Sequence, residues 1–75
     1  MEIHNLMKPE TQERIRYLLG KIRIEQRRTM TQFAEESGIA LESVRRFITY
    51  RHIVGTKVLC AMAYIVQKYG YKLEE

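Results

Sequence analysis

Arg45 and Arg46 stand side by side in the stretch Ala40-Leu-Glu-Ser-Val-Arg-Arg-Phe-Ile-Thr49. A guanidinium is a planar fork of donors that keeps its charge, so its chemistry is bidentate. It can clamp a phosphate or take both O6 and N7 of a guanine edge. At about 100° per residue in a helix, Val44 and Phe47 point one way, with Leu41 and Ile48 at the margin. Glu42, Arg46 and Thr49 point the other way, with Ser43 and Arg45 to either side. One face is therefore apolar, and the other carries two fixed positive charges, hydroxyls and one carboxylate. The solvated side of an ordinary amphipathic helix has this composition too, so the residues before the helix must decide between the readings.

Those residues are Thr31-Gln-Phe-Ala-Glu-Glu-Ser-Gly-Ile39. Ala34 is small enough to let two helices approach closely. Gly38, four residues on, is the residue best able to reverse the chain with φ > 0 at a helix C-terminus. Ile39 follows, then Val44 and Phe47 three apart on one helical face. Small, Gly, apolar, then two spaced apolars is the pattern of a DNA-binding helix-turn-helix, which sets two helices at roughly 90–120°. After that signature, the Arg45 and Arg46 face reads as a surface for a duplex.

The charge pattern points the same way. The 75 residues carry 13 Lys and Arg against 9 acids, all glutamate, for a net charge of +4. Seven of the acids lie at or before Glu42 and the other two are Glu74 and Glu75. Between them fall Arg45, Arg46, Arg51, Lys57, Lys68 and Lys72, with His52, and no carboxylate. A one-signed stretch overlapping the reading helix is what a phosphate-facing surface requires.

Enzymatic and metal chemistry find no footing. His4 and His52 are far apart, and the single Cys60 lies in an apolar segment. There is no Gly-rich phosphate loop, HExxH or CxxC pair. Glu35-Glu36 reads as a solvated helix face. No catalytic residue, cofactor or metal is expected. The lone cysteine suits a reducing cytosol. No apolar run reaches the ~18 residues of a membrane helix, and nothing near Met1 resembles a signal peptide. The expected location is the cytoplasm, at the nucleoid.

Four elements must position these groups. Residues 1–8 form an arm, with Ile3, Leu6 and Met7 available to tuck onto the body. Pro9 suits a first helical turn, with Glu10 and Glu13 at its positive end. Ile15, Leu18, Leu19 and Ile22 then define a buried stripe, with Arg23, Arg27 and Arg28 closing the helix, so the first helix is placed at 10–27. Gly20 inside it marks a close helix contact.

Thr31 is the N-cap of a second helix over 32–37, without a full capping box, because Ala34 occupies the third position. That helix buries Phe33 and Ala34, leaves Glu35 and Glu36 exposed, and sets Gln32 at its start to touch a phosphate. The third helix runs from Leu41 to Thr49 or Tyr50. Its linker, Tyr50-Arg51-His52-Ile53-Val54-Gly55, has basic and aromatic members to meet a sugar-phosphate backbone. Thr56 caps a fourth helix over 57–69 that is apolar nearly all round, with Cys60 as a small packed residue. Such a helix is buried on more than one side, which implies a second subunit. Gly70 stops it, and Tyr71-Lys72-Leu73 alternates as a short edge strand would.

The order of elements resembles the Cro/C1-type (XRE) helix-turn-helix family of phage-repressor-like domains over residues 14–70. The resemblance rests on Ile22-Arg23, Met30-Thr31-Gln32-Phe33-Ala34, Gly38-Ile39, Val44, Phe47, Leu59, Met62-Ala63 and Val66. Ala40 stands where that family usually caps the reading helix with Ser, Thr or Asn. The resemblance implies that Gln32 contacts phosphate, that Leu41, Glu42 and Arg45 face base edges, and that Thr49, Tyr50 and Arg51 approach phosphate. The terminal Tyr69-Gly-Tyr-Lys-Leu-Glu-Glu75 is similar to antitoxin-like members whose C-terminal strand pairs across a dimer.

The expectation is therefore an all-α, repressor-like bundle of four helices, five at most, over residues 9–75, with a short C-terminal strand. Its function is sequence-specific double-stranded DNA binding as a transcriptional regulator, a repressor, that reads the major groove with residues 41–50. The site residues are Gln32, Leu41, Glu42, Ser43, Arg45, Arg46, Thr49, Tyr50, Arg51 and Lys57. The expected partners are operator DNA and a second copy bound through the fourth helix and C-terminal segment, and no membrane. The alternative is an antitoxin or antirepressor-type module that binds a partner protein on the same scaffold.

Overall fold

The structure, a computed structural model, describes residues 7–52 and 54–73. Four helices follow in order: α1 (Pro9–Glu25), α2 (Met30–Ser37), α3 (Leu41–Ile48) and α4 (Thr56–Lys68). Among the described residues there is no strand and no fifth helix. α1 packs chiefly on α4, while α2 packs on both α3 and α4. The fold class is the small all-α bundle that the apolar periodicities require.

Pro9 opens α1 at a position where a missing N–H costs nothing, and Glu10 sits in its first turn. The stripe Ile15, Leu18, Leu19 and Ile22 is buried as its spacing dictates. It meets Phe33 and Ala34 of α2, Val44 and Phe47 of α3, and Leu59, Met62, Ala63, Ile65 and Val66 of α4. Each fully buried Leu, Ile or Phe contributes roughly 1.5–3 kcal/mol over its exposed state. This single cluster holds all four helices.

Three helices end alike. Arg27 (φ 53°), Gly38 (φ 75°) and Gly70 (φ 88°) take left-handed conformations just past α1, α2 and α4. The next N–H in each case turns back to a carbonyl five residues earlier: Arg28 to Arg23 at 3.2 Å, Ile39 to Ala34 at 3.2 Å, and Tyr71 to Val66 at 3.1 Å. That is the Schellman closure, for which glycine is the unstrained residue. The glycines were legible in advance; Arg27 was not. α1 consequently stops at Glu25, leaving Arg27 and Arg28 beyond it rather than in its last turn.

Several expectations are corrected. The N-cap of α2 is Thr29, not Thr31, and its capping box is complete: the Gln32 N–H donates to Thr29 Oγ1 at 3.1 Å, and the Thr29 N–H donates to Gln32 Oε1 at 2.8 Å. Starting the helix two residues earlier brings glutamine to the third position. Gly20 marks no close contact within the chain, since a Cβ there would meet nothing within 4 Å. Thr56 is the first residue of α4, Gly55 precedes it, and no side chain caps that end. α3 stops at Ile48, short of the expected Thr49 or Tyr50, and α4 at Lys68, short of Tyr69.

α4 is not covered all round: Lys57, Cys60, Tyr64 and Lys68 form its outward side, so Cys60 is exposed rather than packed. Tyr71-Lys72-Leu73 is no strand; Leu73 is buried in the core, and the Arg14 Nε–H donates to the Lys72 carbonyl at 3.2 Å. The tail thus anchors inward, with one large apolar side chain doing what a strand register was expected to do. Of the expected arm, residues 1–6, with His4, Ile3 and Leu6, lie outside the described residues, as do Ile53, Glu74 and Glu75. Met7 is exposed instead of tucked onto the body.

Candidate nucleic-acid interface

α3 is short, and its placement depends on both ends. At its start, Gly38 and Ile39 close α2, and Ala40 in extended conformation supplies no side-chain cap. The first N–H groups of α3 are therefore not taken by a capping side chain. Val44 and Phe47 are wholly buried, which fixes the rotation of the helix about its axis. The side opposite them must then face outward.

Arg45 and Arg46 occupy that outward side, with side chains 49% and 61% exposed. Glu42 lies one turn before them, its carboxylate oxygens 4.0 Å from Arg45 Nη1 and 4.0 Å from Arg46 Nε. At that separation, in solvent, such pairs contribute about 0–1 kcal/mol. Both guanidiniums are thus free to exchange Glu42 for another acceptor. Ser43 is half-buried on one flank, and Leu41 is half-buried against the core. Leu41 packs at the margin, with only part of its side chain facing out.

The C-terminal end of α3 is held by α1, a connection that the local sequence did not disclose. The Arg16 Nε–H donates to the Phe47 carbonyl at 2.7 Å, and its guanidinium lies 4.5 Å from the centroid of the Phe47 ring. The Arg16 side chain is only 9% exposed. One arginine therefore satisfies an orphan carbonyl at the helix end and stacks on the core. Glu13 accepts from Arg16 Nη1 at 2.7 Å and from Arg51 Nη1 at 2.6 Å, so the chain after α3 is tied to α1 as well. Arg51 itself has φ 54°, and the next N–H, of His52, donates to the Arg46 carbonyl at 2.8 Å.

The remaining site residues divide by position. Thr49 and Tyr50 are exposed beyond the end of α3; the Thr49 hydroxyl donates to the Met30 sulfur at 3.7 Å, and the Tyr50 and His52 rings lie 5.8 Å apart. Gln32 is the third residue of α2, and its side-chain carbonyl is committed to the cap, leaving its amide nitrogen for an outside acceptor. Lys57 is exposed in the first turn of α4. The structure thus brings Leu41, Glu42, Ser43, Arg45 and Arg46 onto one short helix, with Thr49, Tyr50 and Arg51 directly after it. Gln32 and Lys57 stand at the starts of other helices.

Neither a family model, nor a curated protein, nor a solved structure matches the chain.

A second set of polar groups lies between α2 and α4. Glu36, expected to be solvated, is half-buried: it accepts from the Tyr69 hydroxyl at 2.7 and 3.0 Å and from Lys68 Nζ at 3.0 Å. Burial alone pushes its carboxyl up, but the bonds from Tyr69 and Lys68, with the charges of Lys68 and Arg28, bring it below the ordinary carboxylate range. Burial, followed by the bond to Glu36, raises the Tyr69 phenol. The bond to Glu36 likewise raises Lys68. The Tyr71 hydroxyl donates to Glu25, and that bond raises its phenol. These are structural ties. Among the described residues no three His, Cys, Asp or Glu side chains gather as a metal site, and no helix is long and apolar enough to cross a membrane.

Proposed function

We propose that the chain is a sequence-specific double-stranded DNA-binding regulator that lays α3 in the major groove. The reading is carried by one observation: with Val44 and Phe47 wholly buried, Arg45 and Arg46 stand exposed on the opposite side of a helix entered through the Gly38 turn. Arg45 reads a base edge, with guanine O6 and N7 as the matched acceptors, and Arg46 and Arg51 meet phosphate. Glu42 either accepts from a cytosine amine or releases its two arginines to donate to guanine and phosphate. Lys57 and the amide of Gln32 grip the backbone without reading sequence. Occupying promoter DNA then represses transcription, at the nucleoid. Two copies would address half-sites about 34 Å apart.

Selection of bound sequences from random duplex DNA at physiological salt tests the reading, because it returns a motif, its symmetry and its spacing together. Arg45→Ala should cost about 1–3 kcal/mol on the selected site and relax one base position. Lys57→Ala should weaken all sequences alike and lower the salt slope by about 1. If no motif is enriched, or Arg45→Ala leaves affinity unchanged, the reading fails. A stoichiometric partner protein recovered alongside absent DNA binding would favour the antitoxin or antirepressor alternative.

A further inference from the structure

Arg51 follows α3 in a conformation that an arginine does not adopt unaided. Its φ of 54° lies in the left-handed region, which strains any residue with a Cβ. Such strain persists only where the surroundings over-determine the residue, and it gathers at sites of function. Here the next N–H, of His52, is fixed on the Arg46 carbonyl at 2.8 Å. The Arg51 guanidinium is fixed on Glu13 at 2.6 Å. Backbone and side chain are both fastened.

The carboxylate that holds Arg51 is itself held. Glu13 gives Oε2 to Arg51 and Oε1 to Arg16, and Arg16 in turn donates to the Phe47 carbonyl in the last turn of α3. One chain of bonds therefore runs from the end of α3 through Arg16 and Glu13 to Arg51. Glu13 offsets the charge of the shielded Arg16, so the surplus positive charge of the three sits on Arg51, whose side chain is 64% exposed. Only Nη1 of Arg51 is engaged among the described residues, which leaves the edge formed by Nε and Nη2 for the two oxygens of a phosphate. So exposed an ion pair adds little stability. What it does is select one rotamer of a long side chain.

We propose that Glu13 is a positioning residue for DNA binding: it holds Arg51 at a fixed offset from α3, so that the guanidinium meets one backbone phosphate beside the groove. Resting on the duplex reading above, this role falls to a residue of α1 that itself touches no DNA. A side chain ordered before binding loses no further rotamer freedom on the phosphate. Removing Glu13 should therefore weaken the Arg51 contact, even though it also removes a negative charge near the duplex. The charge acts on every phosphate within a screening length, whereas positioning acts on one. That difference separates the two effects.

The test uses duplexes of the selected sequence, each with a single phosphate replaced by a neutral methylphosphonate. In the wild type one replacement should weaken binding about threefold or more and lose that effect in Arg51→Ala, which identifies the phosphate that Arg51 meets. Glu13→Ala, with an unchanged helical circular-dichroism signal, should lose most of the effect at that same phosphate and keep it at the phosphate that Lys57→Ala identifies. In a double-mutant cycle, Glu13→Ala should be less favourable to binding by about threefold or more with Arg51 present than in Arg51→Ala. A full effect at the Arg51 phosphate in Glu13→Ala, or equal consequences of Glu13→Ala with and without Arg51, would overturn the proposal. So would tighter binding by Glu13→Ala that requires Arg51, because the pair would then compete with DNA. If no phosphate depends on Arg51 while Arg45→Ala still relaxes a base position, the positioning role falls and the groove reading stands. A wild type that binds no duplex removes both.

Discussion

Arg16 is the residue whose removal should most affect α3 without touching its outward face. Arg16→Met keeps an unbranched stem of similar reach and deletes the guanidinium. Three interactions disappear with it. The charge-assisted bond to the Phe47 carbonyl, 2.7 Å long, is worth about 1.5–3 kcal/mol. The contact with the Phe47 ring, 4.5 Å from its centroid and shielded from solvent, adds about 0.5–2 kcal/mol. The pair with Glu13, whose side chain is 50% exposed, adds about 0–1 kcal/mol. Together these predict a loss of about 2–6 kcal/mol, set against a total of roughly 4–11 kcal/mol for a chain of this length.

Urea denaturation followed by circular dichroism reads the difference, and a thermal scan should show Tm lower by about 10–50 °C. Glu13→Gln, which leaves the Phe47 carbonyl and ring contacts in place, should cost under about 1 kcal/mol. Arg16→Lys should fall between the two, because an ammonium cannot donate to the carbonyl and lie flat on the ring at once. If Arg16→Met costs no more than Glu13→Gln, then Arg16 does not fasten the end of α3 and the account of that junction is wrong.

Other consequences follow from the same contacts. Thr29→Ala should destabilise by about 0.5–2 kcal/mol, with Thr31→Ala close to neutral, in paired urea titrations; the reverse order would move the cap back to Thr31. Gly38→Ala should cost about 1 kcal/mol from backbone strain alone, because a Cβ there meets nothing within 4 Å. Gly38→Asn should recover part of that loss in the same titration. Because Glu36 is depressed in the folded state, its contribution is fully present above the ordinary glutamate value and is lost as pH falls through and below it. Stability measured from pH 7 down to pH 3 should therefore drop less steeply in Glu36→Gln than in the wild type. For raised Tyr69 the sign is opposite: its contribution is present below the ordinary tyrosine value and fades as pH climbs past it, so Tyr69→Phe should flatten the alkaline limb.

What the sequence determined by itself was periodic or local. The stripe Ile15, Leu18, Leu19 and Ile22, the pair Val44 and Phe47, and the chain reversal at Gly38 all follow from helical spacing and from the one residue that tolerates φ > 0. Those three features place Arg45 and Arg46 on an outward side before any coordinate is known. Tertiary structure decided the contacts between residues far apart in the chain. Arg16 on Phe47, Glu13 holding Arg51, and Glu36 beneath Tyr69 span 31, 38 and 33 positions. No periodicity encodes such distances, because they depend on how the helices cross.

The same reason explains the misplaced tail, whereas the cap has a local one. Only Thr29 has a glutamine three residues on to close the capping box, since Thr31 meets Ala34 there, and Met30 and Phe33 then pack on the core. Tyr71-Lys72-Leu73 alternates like a strand, yet burial of Leu73 in the core outweighs any edge it could offer. Side-chain spacing set which residues face inward, and only the assembled core set which neighbours they meet there.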